Sequence, residues 1–85
     1  MQKDNLKPII QEVEYGTIKV NLDKLMKKAD ISTYKLNNAT NVRFQTIQTL
    51  KENNATRIDF NVLAKLCYTL DCNVADILEY MPNNK

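Results

Sequence analysis

Apolar residues along this chain recur first at strand spacing and then at helix spacing. In TIKVNL, Ile18, Val20 and Leu22 alternate with Lys19 and Asn21, the period of a half-buried strand. A strand is therefore expected over residues 17–21. Ile9, Gln11 and Val13 precede Tyr15-Gly16, so residues 9–14 offer a hairpin partner across a glycine turn. The same segment of a second chain is the other partner available, because a lone strand leaves unpaired N–H and C=O groups.

From Asn21 the period changes. Leu22, Leu25, Met26 and Ala29 fall at i, i+3, i+4 and i+7 behind Asn21 as N-cap. Ser32 caps a second helix with Leu36 and Ala39 inward, and the turn Ala39-Thr40-Asn41 follows. Asn41 there replaces Gly in the left-handed conformation that ends a helix. A third helix spans about 43–52, with Val42 just before it and Ile47 and Leu50 inward. After the polar loop 52–57, Asp59 caps a fourth helix with Phe60, Leu63, Ala64, Cys67 and Leu70 on one stripe. Asn73 caps a fifth, with Val74, Ile77, Leu78 and Met81 inward and Pro82 past its end. The expected architecture is all-α: five helices with a short N-terminal β-strand or hairpin. It divides into an extension (1–16), a folded domain (17–81) and a polar tail (82–85).

Composition narrows this picture. Eighty-five residues suit one domain. Gly16, Pro8 and Pro82 all lie outside residues 17–81, which favours helices over a many-turned β fold. Cys67 and Cys72 are too few for a disulfide framework, and without His there is no zinc ligand set. Two reduced thiols in a cytoplasmic protein are expected. No apolar run reaches the roughly 18 residues of a membrane span, and the N-terminus has no signal-peptide pattern. The sequence offers no His, no Gly-rich phosphate loop and no paired carboxylates on a shared face. Asp76 and Glu79 are read as balancing a helix dipole. An enzyme is not expected, nor is a metal, a cofactor or a small-molecule ligand.

Net charge is only +2, but it is unevenly distributed. Residues 19–57 hold eight bases against three acids, and residues 58–85 hold two against four. A basic half and an acidic half point to a polyanion on the basic side.

The segment ISTYKLNNATNVRFQTIQTL carries the functional signal. Two short helices separated by about three residues have helix-turn-helix spacing. With Val42, Ile47 and Leu50 inward, Phe44, Gln45, Gln48 and Thr49 are left outward, beside Arg43 and Thr46. Ordinary solvent faces are built of Lys and Glu. Glutamine amides instead match adenine N6 and N7, threonines serve several bases, and apolar groups touch the thymine methyl.

At these residues the chain resembles the XRE-type (Cro and phage-repressor-type) helix-turn-helix domain, whose fold is lambda-repressor-like. The resemblance runs from Lys19 to Met81 through Ser32, Leu36, Val42, Ile47, Leu50 and the closing LCYTLDCNVADILEYMP. The lead-in IKVNLDKLM is similar to that of small bacterial XRE-type regulators. The resemblance implies a transcription regulator, a repressor, that binds double-stranded DNA as a homodimer. It implies base reading by Phe44, Gln45 and Thr49, to which the outward face adds Gln48. It places Thr33, Arg43, Asn54, Thr56 and Arg57 on the sugar-phosphate backbone, and Thr46, beside the outward face, is assigned there with them. Five positions depart from the family. Asn37 replaces a small residue, Asn41 replaces the turn Gly, and Phe44 stands where a hydrogen-bonding residue is common. Met26 and Lys51 occupy the places of an Arg–Glu ion pair. A protein-interaction module of the same fold, antitoxin-like or a phage-encoded inhibitor, is the second class these departures leave open.

Overall fold

The order of elements is β1 (Thr17–Val20), α1 (Leu22–Ala29), α2 (Thr33–Thr40), α3 (Phe44–Lys51), α4 (Phe60–Leu70), α5 (Val74–Ile77) and β2 (Leu78–Met81). The structure, a computed structural model, describes residues 15–83. Among these residues five helices enclose the core, and a two-stranded antiparallel sheet closes it.

Three helix starts are capped as their side chains dictate. Ser32 Oγ accepts from Lys35 N–H at 3.1 Å at the head of α2. Asp59 Oδ1 accepts from Asn61 and Val62 N–H at 2.7 and 3.3 Å at the head of α4. Asp76 Oδ2 accepts from Asn73 N–H at 2.9 Å at the head of α5. The helix ends show how a chain nearly without glycine turns corners. Asp30 (φ 57°), Asn41 (φ 60°), Asn53 (φ 61°) and Asp71 (φ 52°) all follow helices in the left-handed region. Short Asx side chains tolerate that region better than other L residues.

Each helix contributes to one core: Leu22 and Met26 from α1, Leu36 from α2, Ile47 and Leu50 from α3, Leu63 and Leu66 from α4, and Ile77 from α5. Val42, in the turn, completes it. Several residues expected inward are not. Ala29, Ala39 and Ala64 are exposed, and Phe60 is 83% exposed. On α2 the buried positions besides Leu36 are Thr33 and Thr40. Thr40 satisfies its hydroxyl by donating to Leu36 O (2.7 Å) and accepting from Val42 N–H (3.1 Å). On α4 two apolar stripes overlap. The one through Val62, Leu63, Leu66 and Leu70 faces the core because it carries four aliphatic groups, whereas the stripe through Phe60 and Ala64 ends in a small methyl.

The C-terminal segment departs most from expectation. The fifth helix stops at Ile77, and Leu78 turns extended (φ −112°, ψ 129°). Leu78–Met81 then pairs with β1 in the register Thr17↔Met81, Ile18↔Tyr80, Lys19↔Glu79 and Val20↔Leu78. The spacing of Val74, Ile77, Leu78 and Met81 suits a helix, but Leu78 and Tyr80 equally suit a strand. The tertiary ladder decides, because among the described residues it is this segment that pairs with the backbone of β1 as a strand. Val74 and Met81 are accordingly 50% and 40% exposed rather than inward. The strand expected at 17–21 is present one residue shorter, and its observed partner is β2 of the same chain. The proposed hairpin strand at 9–14 lies outside the described residues.

Asn21 ties the sheet to the helices rather than capping α1 with its side chain. Its N–H donates to Ile77 O at 2.7 Å, and its Nδ2 donates to Glu79 Oε1 at 3.1 Å. Gly16 (φ +91°) enters β1 against the Met81 carbonyl, where a Cβ would collide with backbone.

Candidate nucleic-acid interface

The α2–turn–α3 unit is held by short-range polar bonds that its sequence supplies. Asn41 N–H donates to Asn37 O at 2.8 Å, ending α2. Asn37 Nδ2 reaches across the turn to Val42 O at 2.6 Å. The family's small residue is thus replaced by an amide that braces the turn. With Val42, Ile47 and Leu50 buried, the orientation of α3 is set: its opposite side faces outward.

Arg43, Phe44 and Gln45 are exposed, and Thr46, Gln48 and Thr49 are half-buried. Gln45 and Thr49, four apart, share one face. The Thr49 hydroxyl back-bonds to Gln45 O at 2.8 Å. Gln45 Nε2 lies 3.4 Å from that hydroxyl, a long contact that leaves its amide free to turn outward. Phe44, 49% exposed, stands at the start of the helix beside Arg43.

Beyond α3 the chain passes through Asn53 into the loop before α4. Asn53 acts as a clasp: its Oδ1 accepts from Val20 N–H at 2.7 Å and its Nδ2 donates to Val20 O at 3.0 Å. This two-sided bond mimics a strand partner and fixes the loop against β1. Asn54, Thr56 and Arg57 follow, all exposed. Between α3 and this loop runs an open groove of about 520 Å³. Arg43, Gln45, Thr46 and Thr49 line one side, and Asn54, Thr56 and Arg57 line the other. Seven of the ten residues singled out from the sequence therefore meet at one groove, with an arginine at each side.

The other three lie apart from it. Gln48 is bonded to Thr33 on α2, and Phe44, four residues earlier, falls on the same face of α3. Thr33, expected on the DNA backbone, is buried at 8% exposure, and its hydroxyl is engaged inside the protein. It donates to Gln48 Oε1 at 2.9 Å and accepts from Lys51 Nζ at 2.9 Å. Lys51 also lies 3.8 Å from Asp23 Oδ1, and Asp23 pairs with Lys27 at 3.1 Å. The ion pair that Met26 and Lys51 cannot form is replaced by one of reversed sign, from Asp23 on α1 to Lys51 on α3. Sequence reading missed it because the partners are far apart along the chain and the acid sits three residues before the family's position.

The two cysteines stand away from this surface, at the end of α4. Cys72 N–H donates to Cys67 O at 3.0 Å. Partial burial pushes the Cys72 thiol above its ordinary pKa, and the neighbouring Cys67 adds to the shift. Among the described residues, no three His, Cys, Asp or Glu side chains gather to hold a metal ion. No helix among them is long and apolar enough to cross a membrane.

No curated protein matches the chain. Among solved structures it is similar to the crystal structure of the transcriptional regulator VanUg, form II, with a TM-score of 0.65 and 26% identity. The likeness covers 85% of this chain and 95% of that one. The family model of the Cro/C1-type HTH DNA-binding domain matches residues 21–83, a span that takes in all five helices, the α2–turn–α3 unit and β2. With its capped α2, left-handed turn at Asn41 and outward polar face on α3, the chain belongs to the Cro/C1-type helix-turn-helix DNA-binding domain family.

Proposed function

We propose that the protein is a transcription regulator that binds double-stranded DNA sequence-specifically as a homodimer, represses by occupying its operator, and has no enzymatic activity. The observation that carries this reading is the groove beside α3. Amide and hydroxyl side chains (Gln45, Thr49) face a loop bearing Asn54, Thr56 and Arg57. Base-edge donors and acceptors on one side, with cationic and polar backbone-binding groups on the other, is the division of labour that DNA readers need. In this reading α3 enters the major groove. Phe44, Gln45, Gln48 and Thr49 meet bases, while Arg43, Thr46, Asn54, Thr56 and Arg57 meet phosphate and sugar. Phe44 offers an apolar surface to a thymine methyl. The similarity to a protein described as a transcriptional regulator supports the assignment. Repression by occupancy requires no surface beyond the DNA-reading one, and a bacterial or phage cytoplasm is the setting that such a regulator implies.

Selection of bound duplexes from a random pool tests the proposal. A two-fold pair of enriched half-sites about one helical turn, ~34 Å, apart is the expected result. Recovery of an unenriched pool would overturn it. The half-exposed Phe44 at the head of α3 favours one rival, a protein-interaction module of the same fold. Retention on heparin and random duplex separates the two. DNA contact releases counterions and gives a steep salt dependence, which an interaction module would lack.

A further inference from the structure

Gln48 differs from the other polar residues on α3 in having half of its amide already committed. Thr33 Oγ1 sits 2.9 Å from Gln48 Oε1 and 2.9 Å from Lys51 Nζ. An ammonium only donates, so the Thr33 oxygen accepts from Lys51. The hydroxyl's single proton is donated to Gln48 Oε1. A hydroxyl polarised by a cation is the stronger donor for it. The amide is thereby fixed with Oε1 facing the protein and Nε2 facing out. Thr33 is buried and Lys51 is held between Thr33 and Asp23, so the arrangement is built in rather than left to solvent.

We infer that Thr33 and Lys51 lock Gln48 as a donor-only reader, selecting a guanine edge and rejecting the adenine that a free glutamine amide would favour; this rests on the DNA-binding reading above. Adenine recognition by glutamine needs both halves of the amide, with Oε1 accepting from N6 and Nε2 donating to N7. Here Oε1 is taken. Two outward N–H groups instead match the O6 and N7 acceptors of guanine, and they face the N6 amino group of adenine unfavourably. Thr33 and Lys51 are positioning residues. They touch no base, yet they set which base Gln48 accepts.

The experiment is random-pool duplex selection on the intact protein and its Gln48→Ala, Thr33→Val and Lys51→Met variants, with each fold checked by circular dichroism. The position whose preference disappears in Gln48→Ala is the one that Gln48 reads. Guanine is expected there in the parent. Thr33→Val keeps the buried shape and removes the hydroxyl, so the guanine-to-adenine ratio at that position should fall by about ten-fold. Lys51→Met releases the hydroxyl to accept from Gln48 Nε2 and should shift the same position if Thr33→Val does not fold. Adenine at that position in the parent, no dependence on Gln48, or an unchanged preference in a folded Thr33→Val overturns the inference while leaving DNA binding intact. A parent that enriches no sequence overturns the DNA-binding reading itself, and the inference with it.

Discussion

Gln45 and Gln48 are three residues apart on one helix, yet their surroundings give them different tasks. Gln45 keeps both halves of its amide available, apart from one long contact to Thr49. Gln45→Ala should cost about 1–3 kcal/mol of specific binding and relax one base position. Titration against selected and random duplexes checks this, and an equal loss on both would make Gln45 a nonspecific contact. Asn53 shows a residue doing two structural jobs, holding φ 61° and clasping both polar groups of Val20. Asn53→Ala loses both hydrogen bonds and is forced into the left-handed region, a cost of roughly 1–3 kcal/mol in thermal stability. Asn53→Gly keeps the backbone angle and loses only the bonds, so it should melt above the alanine variant. Equal melting of the two would mean that backbone strain plays no part.

At the scale of elements, α3 was legible in advance because its signals are local. Val42, Ile47 and Leu50 define one side, and the polar residues between them are left with no core to face. Leu50 is 2% exposed. Leu50→Ala should destabilise the fold by roughly 2–5 kcal/mol, a large part of what a small domain has. Denaturant unfolding measures it, and a stable variant with selectively lost DNA binding would mean the faces of α3 are reversed. The loop behind α3 makes a different prediction. Arg57→Ala should weaken binding to every sequence alike and lower the salt slope by about one unit; an unchanged slope removes Arg57 from the DNA backbone. What the sequence did not disclose is non-local or ambiguous in period. The bonds from Thr33 to Gln48 and Lys51 join residues 15 and 18 positions apart on different helices, so no spacing rule reaches them. The end of α5 fits helix and strand periods alike, and the long-range ladder with β1 resolves it. On α4 the aromatic ring of Phe60 drew the expected stripe toward itself, whereas burial follows the continuous aliphatic row ending at Leu70.

Across the whole molecule, the pairing of β1 with β2 alters how a dimer could form. Val20 is half-buried opposite Leu78, so it belongs to the domain's own packing, while Ile18 and Tyr80, each 59% exposed, carry the outward apolar surface of the sheet. Light scattering on the intact protein should return twice the chain mass if the proposed homodimer forms, and a monomer mass would exclude it. The same pairing has a topological consequence. Thr17 and Met81 lie side by side at opposite ends of the domain's sequence, so a short linker from Asn83 back to Tyr15 would close residues 15–83 into a ring without moving either strand. A ring has far fewer unfolded arrangements than an open chain of the same composition, worth about 4 kcal/mol for a loop of this length. The circular protein should therefore melt well above the linear one while binding DNA equally, its groove lying far from the join along the chain. A ring no more stable than the open chain would mean that these ends already stay together when the rest has come apart.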